Sequence, residues 1–235
     1  IHYLMKSRKI DIVMQSNTYF GFYVIPWLKA EFPEVVFTDY LHSENWSWRN
    51  GEYPRDSTAI DGFLDRTYTC TKVLRESMKK NMGRTIDNVK TVYIGVDEKE
   101  FDANKINVED NEALKKQLDK LKGKKSILFL CRISEEKRPI FILHVLKKLL
   151  KKDKDLILLV VGDGPQLDEM KSTARKMGIT DNIIFFGMQN NVKPFYKVAD
   201  VSVICSLVEG LTITTYESLS MGTPVVTADV GGQKE

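Results

Sequence analysis

Glu209 and Glu217 are two carboxylates with seven residues between them, in the stretch 206–217 (SLVEGLTITTYE). Glu209 falls between an apolar run and a helix-like segment, beside Gly210, which frees the backbone for a close approach. Glu217 falls about a turn and a half into that helix. One carboxylate at the mouth of a groove and one along it can accept hydrogen bonds from two sets of hydroxyls on an elongated ligand. The helix N-terminus between them favours an anion such as a pyrophosphate. Carboxylates beside an anion make chemical sense when they bind hydroxyls, which is the pattern of a sugar nucleotide. Two solvated acids on a helix fit the same spacing.

A second group is CRISEEKRP, residues 131–139, which joins an apolar run to a helix. Arg132 and Lys137 offer a guanidinium fork and an ammonium where free backbone N–H groups also point, an arrangement suited to phosphate. The alternative is a capping box, with Ser134 as N-cap, Lys137 at the third position and Pro139 just inside. A third group is Val161-Gly162-Asp163-Gly164-Pro165. Its glycines permit a tight turn and close backbone approach, as in any βα turn. It is not a GxGxxG fingerprint. Asp153-Lys154-Asp155 mimics an Asp-x-Asp metal motif, but it precedes an apolar run in a lysine-rich stretch and reads as solvated surface.

Strand-like runs alternating with helix-like periods must position these groups. Strands are expected at 10–14, 34–41, 66–71 and 89–94. Helices are expected at 19–30 and 73–82, a short one at 61–65, and a polar, aromatic loop at 42–57. Within that loop, Trp46 and Trp48 suit either stacking on a sugar or pinning the loop to the core. Gly95-Val96-Asp97 breaks the pattern, and a charged stretch with one helix over 111–121 leads to Gly123. Strands at 126–131, 155–161, 182–186, 200–205 and 224–228 then alternate with helices at 137–152, 166–177, 191–198 and 212–221. Val- and Ile-rich strands separated by helices predict parallel, doubly wound α/β sheets. The expected organisation is a domain over 1–102, a linker region at 103–123, a second domain over 124–235, and a cleft between them. In such sheets ligands bind outside the carboxyl ends of the strands, which gives the motifs there most weight.

The chain of 235 residues is 43% hydrophobic and 29% charged, which excludes low-complexity disorder and a collagen-like repeat. No apolar run approaches the 18 or so residues of a membrane span. Cys70, Cys131 and Cys205 are far apart and form no CxxC pair, so neither a zinc site nor a disulfide framework is expected, and a reducing compartment fits. Charge is uneven: −2 over residues 1–110, +8 over 111–200 and −3 over 201–235. The basic section lacks interleaved aromatics and matches no nucleic-acid reader motif, so no nucleic-acid partner is expected. Ile1 at the start and the turn-like GGQKE at 231–235 suggest a fragment lacking both ends of a longer protein.

The order of these motifs resembles glycosyltransferase family 4, the retaining GT-B enzymes of glycosyl transferases group 1. The resemblance rests on residues 131–139, VVGDGP at 160–165, residues 185–210, EGLTITTYESLSMGTPVV at 209–226, DVGGQKE at 229–235, and NVKTVYIGVDEKEFD at 88–102. It implies two Rossmann-like domains, the first incomplete here. Arg132 and Lys137 match the pair that binds the donor diphosphate and stabilises the leaving group. Glu209 matches the glutamate beside the donor sugar, and Glu217 the one that holds the ribose. Gly210, Leu211, Thr212 and Ile213 match the loop whose amides meet sugar and phosphates. Gly164 lies in the matched glycine turn, and Gly187, Met188 and Gln189 match a region near the base. His42 matches a histidine facing the donor sugar, while His144 and His2 read as scaffold or surface. Cys131 and Arg138 stand where glycine is common, and Leu211-Thr212 where Phe-Gly or Leu-Pro is commoner.

The resemblance thus implies transfer of a sugar from a nucleotide-sugar donor to a hydroxyl of a glycan, a cell-surface polysaccharide or a lipid-linked acceptor. No cofactor or metal is expected, since Arg132 and Lys137 supply the positive charge. The alternatives are an epimerase-like enzyme of the same architecture and a donor-binding module inactive through truncation. A cytoplasmic location, with peripheral contact at the inner face of the membrane, is the expected setting.

Overall fold

The computed structural model describes residues 1–42 and 52–235, so Trp46 and Trp48 lie outside the described residues. Contacts divide the chain into two units. The first comprises Ile1–Ile94, Val208–Leu211 and Asp229–Glu235, and the second Gly95–Leu207 and Thr212–Ala228.

The first unit runs α1 (His2–Arg8), β1 (Ile12–Ser16), α2 (Tyr19–Glu31), β2 (Val36–Leu41), α3 (Glu52–Ala59), β3 (Arg66–Thr69), α4 (Lys72–Met82) and β4 (Val89–Thr91). Its strands pair in sequence order, all parallel. Phe37 and Leu41 of β2 point to one face, where Met5, Ile25, Leu28, Leu74 and Met78 from α1, α2 and α4 cover them. Asp39 shares their parity along the strand and is fully buried. Register sets it opposite Gln15 of β1 and Thr67 of β3, so a polar row crosses the apolar sheet. The Arg84 guanidinium, also buried, donates to the Thr67 hydroxyl at 2.8 Å and to the Ser57 carbonyl at 2.7 Å.

The structure corrects several expected limits here. β1 starts two residues later than expected and runs on to Ser16, because pairing with β2 fixes its register. α1 has no counterpart in the sequence pattern. The expected loop at 42–57 gives way to helix from Glu52 onward, with Glu52, Pro54 and Ser57 turned inward. The polar composition of this segment hides its helical period.

The second unit begins with two short helices, α5 (Glu112–Lys115) and α6 (Leu118–Leu121). There follow β5 (Lys125–Leu130), α7 (Pro139–Leu149), β6 (Leu156–Val161), α8 (Leu167–Met177), β7 (Ile183–Gly187), α9 (Lys193–Val198), β8 (Val201–Ile204), α10 (Ile213–Ser220) and β9 (Val225–Thr227). The parallel sheet has the order β7-β6-β5-β8-β9. Every residue of β6 is buried. Leu156, Leu158 and Val160 pack under α7 and α8. Ile157, Leu159 and Val161 pack on the opposite face against Phe195 and Tyr196 of α9. This two-sided burial is why the strand reads as an unbroken apolar run. Leu114, Leu118 and Leu121 join the second of these faces, so the stretch 103–123 packs on this unit. The single helix expected over 111–121 is broken near Gln117. The helix expected from 137 starts at Pro139, because Arg138 takes a left-handed φ of 57° after a 3-10 turn at Glu135–Lys137.

Candidate functional site

In the second unit the chain reverses its winding between β5 and β8, and the loops leaving their carboxyl ends carry Arg132–Lys137 and the residues after Ile204. The three loops leaving β5, β6 and β7 are tied edge to edge by backbone. Cys131 N donates to Val161 O at 3.1 Å, Ile133 N to Asp163 O at 2.9 Å, and Gly162 N to Gly187 O at 2.8 Å. Such proximity demands glycine. A Cβ on Gly162, whose φ is +132°, would stand 1.9 Å from the Cys131 carbonyl oxygen, and one on Gly164 2.4 Å from that of Ile133.

Behind this rim lies a cavity of about 640 Å³, lined by Leu130, Cys131, Arg132, Val161, Gly162, Asp163, Gly164, Met188, Gln189 and Val192. Four residues expected at a donor site therefore share one cavity: Arg132, Gly164, Met188 and Gln189. The Gln189 amide is held on both sides, donating from Nε2 to Phe186 O at 2.8 Å and accepting at Oε1 from Asn111 Nδ2 at 3.1 Å. Asn111 in turn caps α5 through Oδ1 and the Leu114 N–H, 2.9 Å away.

Lys137 lies at the other end of the Arg132 loop, and its carbonyl accepts from the Cys205 thiol at 3.3 Å. The same loop binds the β8 end through Leu207 N and Glu136 O at 2.7 Å. Burial works to raise the Glu136 carboxyl, but the Ser134 hydroxyl at 2.6 Å and the charges of Lys137 and Arg132 outweigh it and hold it below its ordinary value. Ser134 therefore spends its hydroxyl on Glu136 and the Arg132 carbonyl, and makes no capping bond. Lys137, Thr212, Ile213 and Glu217 lie outside the cavity lining. Thr212 is the N-cap residue of α10 and Ile213 its first residue. Glu217 accepts at Oε2 from the buried Tyr196 hydroxyl at 2.7 Å, a partner that sequence reasoning missed because Tyr196 reads as helix filler.

In the first unit, His42 directly follows β2. Its Nε2 is 2.6 Å from Ser16 Oγ, its ring meets Tyr40 edge-on at 4.5 Å, and burial lowers its pKa. Its carbonyl accepts from the Cys70 thiol at 3.0 Å. Gly210 lies against that same carbonyl, where a Cβ would come within 1.7 Å. Gly232 N donates to Gly210 O at 2.8 Å, and Leu211 packs with Phe22, Leu41 and Leu74. His42, Gly210 and Leu211 are thus brought together, and Glu209 lies in the same short segment. Glu235 accepts from the N–H groups of Lys72 and Val73, at the head of α4, and from the Tyr93 hydroxyl at 2.6 Å.

The remaining candidates read as scaffold. Asp153 pairs with Lys125 at 3.0 Å at the amino ends of the strands. His2 bonds Glu31, and His144 is exposed on α7. The three cysteines are free thiols. Among the described residues no helix is long and apolar enough to cross a membrane.

Residues 110–235 match the family model for glycosyl transferases group 1. The chain is 29% identical over 210 residues to an uncharacterized glycosyltransferase, MJ1607, of Methanocaldococcus jannaschii, covering 86% of this chain and 53% of the relative. It is 34% identical over 139 residues to an alpha-monoglucosyldiacylglycerol synthase of Streptococcus pneumoniae, covering 58% and 32%. The chain thus spans about half, or less, of the length of these curated relatives. Among solved structures, Anabaena Alr3699/HepE in complex with UDP has a TM-score of 0.82 at 16% identity, over 99% of this chain and 64% of that one. The Rickettsia africae glycosyltransferase has a TM-score of 0.80 at 18% identity, over 98% and 60%. The two parallel-sheet α/β units are those of the GT-B fold expected from the sequence.

Proposed function

Because the chain belongs to the glycosyl transferases group 1 family, whose model covers more than half of it, we propose that it serves sugar transfer from a nucleoside-diphosphate sugar to a hydroxyl acceptor, with retention at the anomeric carbon, as in glycosyltransferase family 4. The observation that carries this reading is the cavity of the second unit, whose lining combines the apolar Leu130, Val161, Met188 and Val192 with Arg132, Asp163 and Gln189. A slot with apolar side chains beside a cation suits a nucleobase joined to a diphosphate. The neighbouring HepE structure holds UDP, which makes a uridine donor the first choice.

In this reading the bond from the anomeric carbon to the diphosphate oxygen breaks as the acceptor oxygen bonds to the same face. The acceptor proton passes to the departing phosphate. Arg132 and Lys137 stabilise the charge that develops there, a role that needs no metal. Glu217, steadied by the Tyr196 hydroxyl, receives the ribose hydroxyls. Glu209, the loop over 210–213 and His42 attend the donor sugar. The chain's contribution is alignment and charge stabilisation. The acceptor is a glycan, a cell-surface polysaccharide or a lipid-linked hydroxyl, met on the cytosolic side of the membrane.

Arg132→Ala tests the reading. Arg132 is exposed, so the fold should hold while transfer, measured as release of nucleoside diphosphate with acceptor present, falls by about 100-fold or more. A rate near that of the native protein would overturn the assignment.

A further inference from the structure

Gln189 is the amide of the cavity lining, and its orientation is set from outside the cavity. Its Nε2 donates to Phe186 O at 2.8 Å and its Oε1 accepts from Asn111 Nδ2 at 3.1 Å. One N–H and one lone pair remain beyond these two bonds. Turning the amide over would set Nε2 against Nδ2 and Oε1 against a carbonyl oxygen, losing both bonds and creating two repulsions. Asn111 is fixed in its turn. It is nearly buried, its Oδ1 caps α5, and its Nδ2 also lies 3.4 Å from Asn191 O. The donor–acceptor order that Gln189 presents is therefore locked.

That order matters because bases of equal size differ in it. Uracil presents a carbonyl acceptor beside an N–H donor, where cytosine presents an amino donor beside a ring-nitrogen acceptor. Guanine and adenine differ in the same sense. An amide that turns freely pairs with either member, whereas a locked one pairs with only one. Of the other side chains in the lining, Leu130, Val161, Met188 and Val192 are apolar and offer no such choice, while Arg132 and Asp163 carry full charges and Gln189 is the one amide.

We infer that Asn111 is a positioning residue that locks the Gln189 amide and thereby sets whether the cavity accepts keto bases (uracil, guanine) or amino bases (cytosine, adenine). The inference rests on the nucleotide-donor reading above. Asn111→Asp tests it: the variant keeps the oxygen that caps α5 but removes the donor that holds Gln189 Oε1 and puts a carboxylate in its place, so the amide turns to donate to that charge and gives up its bond to Phe186 O. Calorimetric titration of the full chain with UDP, CDP, GDP and ADP reads the result. The native protein should favour one member of each pair, in the same sense for both pairs. In Asn111→Asp the ratio within each pair should shift by about tenfold or more towards the other member. Gln189→Glu, which puts an acceptor in place of the amide nitrogen, should raise amino bases over keto bases and serves if the first variant melts early. Equal weakening of all four nucleotides, with the ratios unchanged, would overturn the inference and leave the donor reading standing. Failure of the native protein to bind any of the four would overturn both.

Discussion

The two parallel sheets are built from different interiors. In the second unit, every β6 residue is apolar and buried, and helices cover both faces. In the first unit, β1 is an edge strand with Ile12 63% and Met14 66% exposed, and the row Gln15–Asp39–Thr67 crosses the middle of the sheet. Both Asp39 oxygens are shut away from solvent, with the Ser57 and Gln15 side chains and the Arg84 charge as their polar neighbours. The difference shows how each unit is tuned. Uniform apolar packing around β6 gives the second unit a stiff base, from which three loops meet by backbone contact to frame a cavity. The first unit spends interior positions on polar groups, which tie it to pH and leave less apolar burial to hold it together.

The largest effect should come from striking the stiff rim. Gly162→Ala places a Cβ 1.9 Å from the Cys131 carbonyl in a backbone conformation closed to alanine. The β5 and β6 loops must part, at about 2–4 kcal/mol and with loss of the cavity. Gly222→Ala is the control. It also has positive φ, but nothing stands within 4 Å, so about 1 kcal/mol is expected. Denaturant melts of both variants measure the difference, and equal losses would show that the rim is not close-packed.

A smaller effect belongs to the polar row. Burial pushes the Asp39 carboxyl up to about 6, against the opposing pull of Ser57, Gln15 and the Arg84 charge. The folded state therefore holds this proton more tightly than the unfolded chain. The resulting stability is fully present below about pH 4 and is lost as pH rises through 6. Asp39→Asn should flatten the melting temperature of the first unit between pH 4 and 7. At neutral pH it should add about 2 kcal/mol, with Asp61 left as counter-ion to Arg84 at 3.3 Å. An unchanged pH profile would mean that the row does not distinguish the two units.

The same contrast explains what could be read in advance. The second sheet was legible because two-sided burial writes unbroken Val, Ile and Leu runs, and the 162–165 turn was legible because paired glycines after such a run mark a tight βα turn. The polar row was not, because Gln15, Asp39 and Thr67 meet only through strand register. Asn111 and Gln189 meet only because the stretch 103–123 folds onto the second unit. Tyr196 hides in an apolar helix, and only its hydroxyl shows that it steadies Glu217. Arg138 left a trace: it stands where the resembled family commonly has glycine, and the structure supplies the reason in its left-handed backbone.

Arg138 also gives the smallest and sharpest test of how tightly the second unit is made. Its φ of 57° carries a penalty of about 1 kcal/mol for any residue with a Cβ, while its guanidinium stacks on the Phe141 ring at 4.0 Å, a contact that contributes about 0.5–1 kcal/mol. Arg138→Ala loses the ring and keeps the strain, so it should fall about 1 kcal/mol below the native protein. Arg138→Gly loses the ring but sheds the strain, and its more flexible unfolded chain takes back part of that gain. It should lie within about 0.5 kcal/mol of native. Glycine above alanine in paired melts would mean that this unit carries local strain at the start of α7, which a cation–π contact offsets. Alanine equal to or above glycine would mean that the backbone there costs nothing, and that the ring contact offsets no strain.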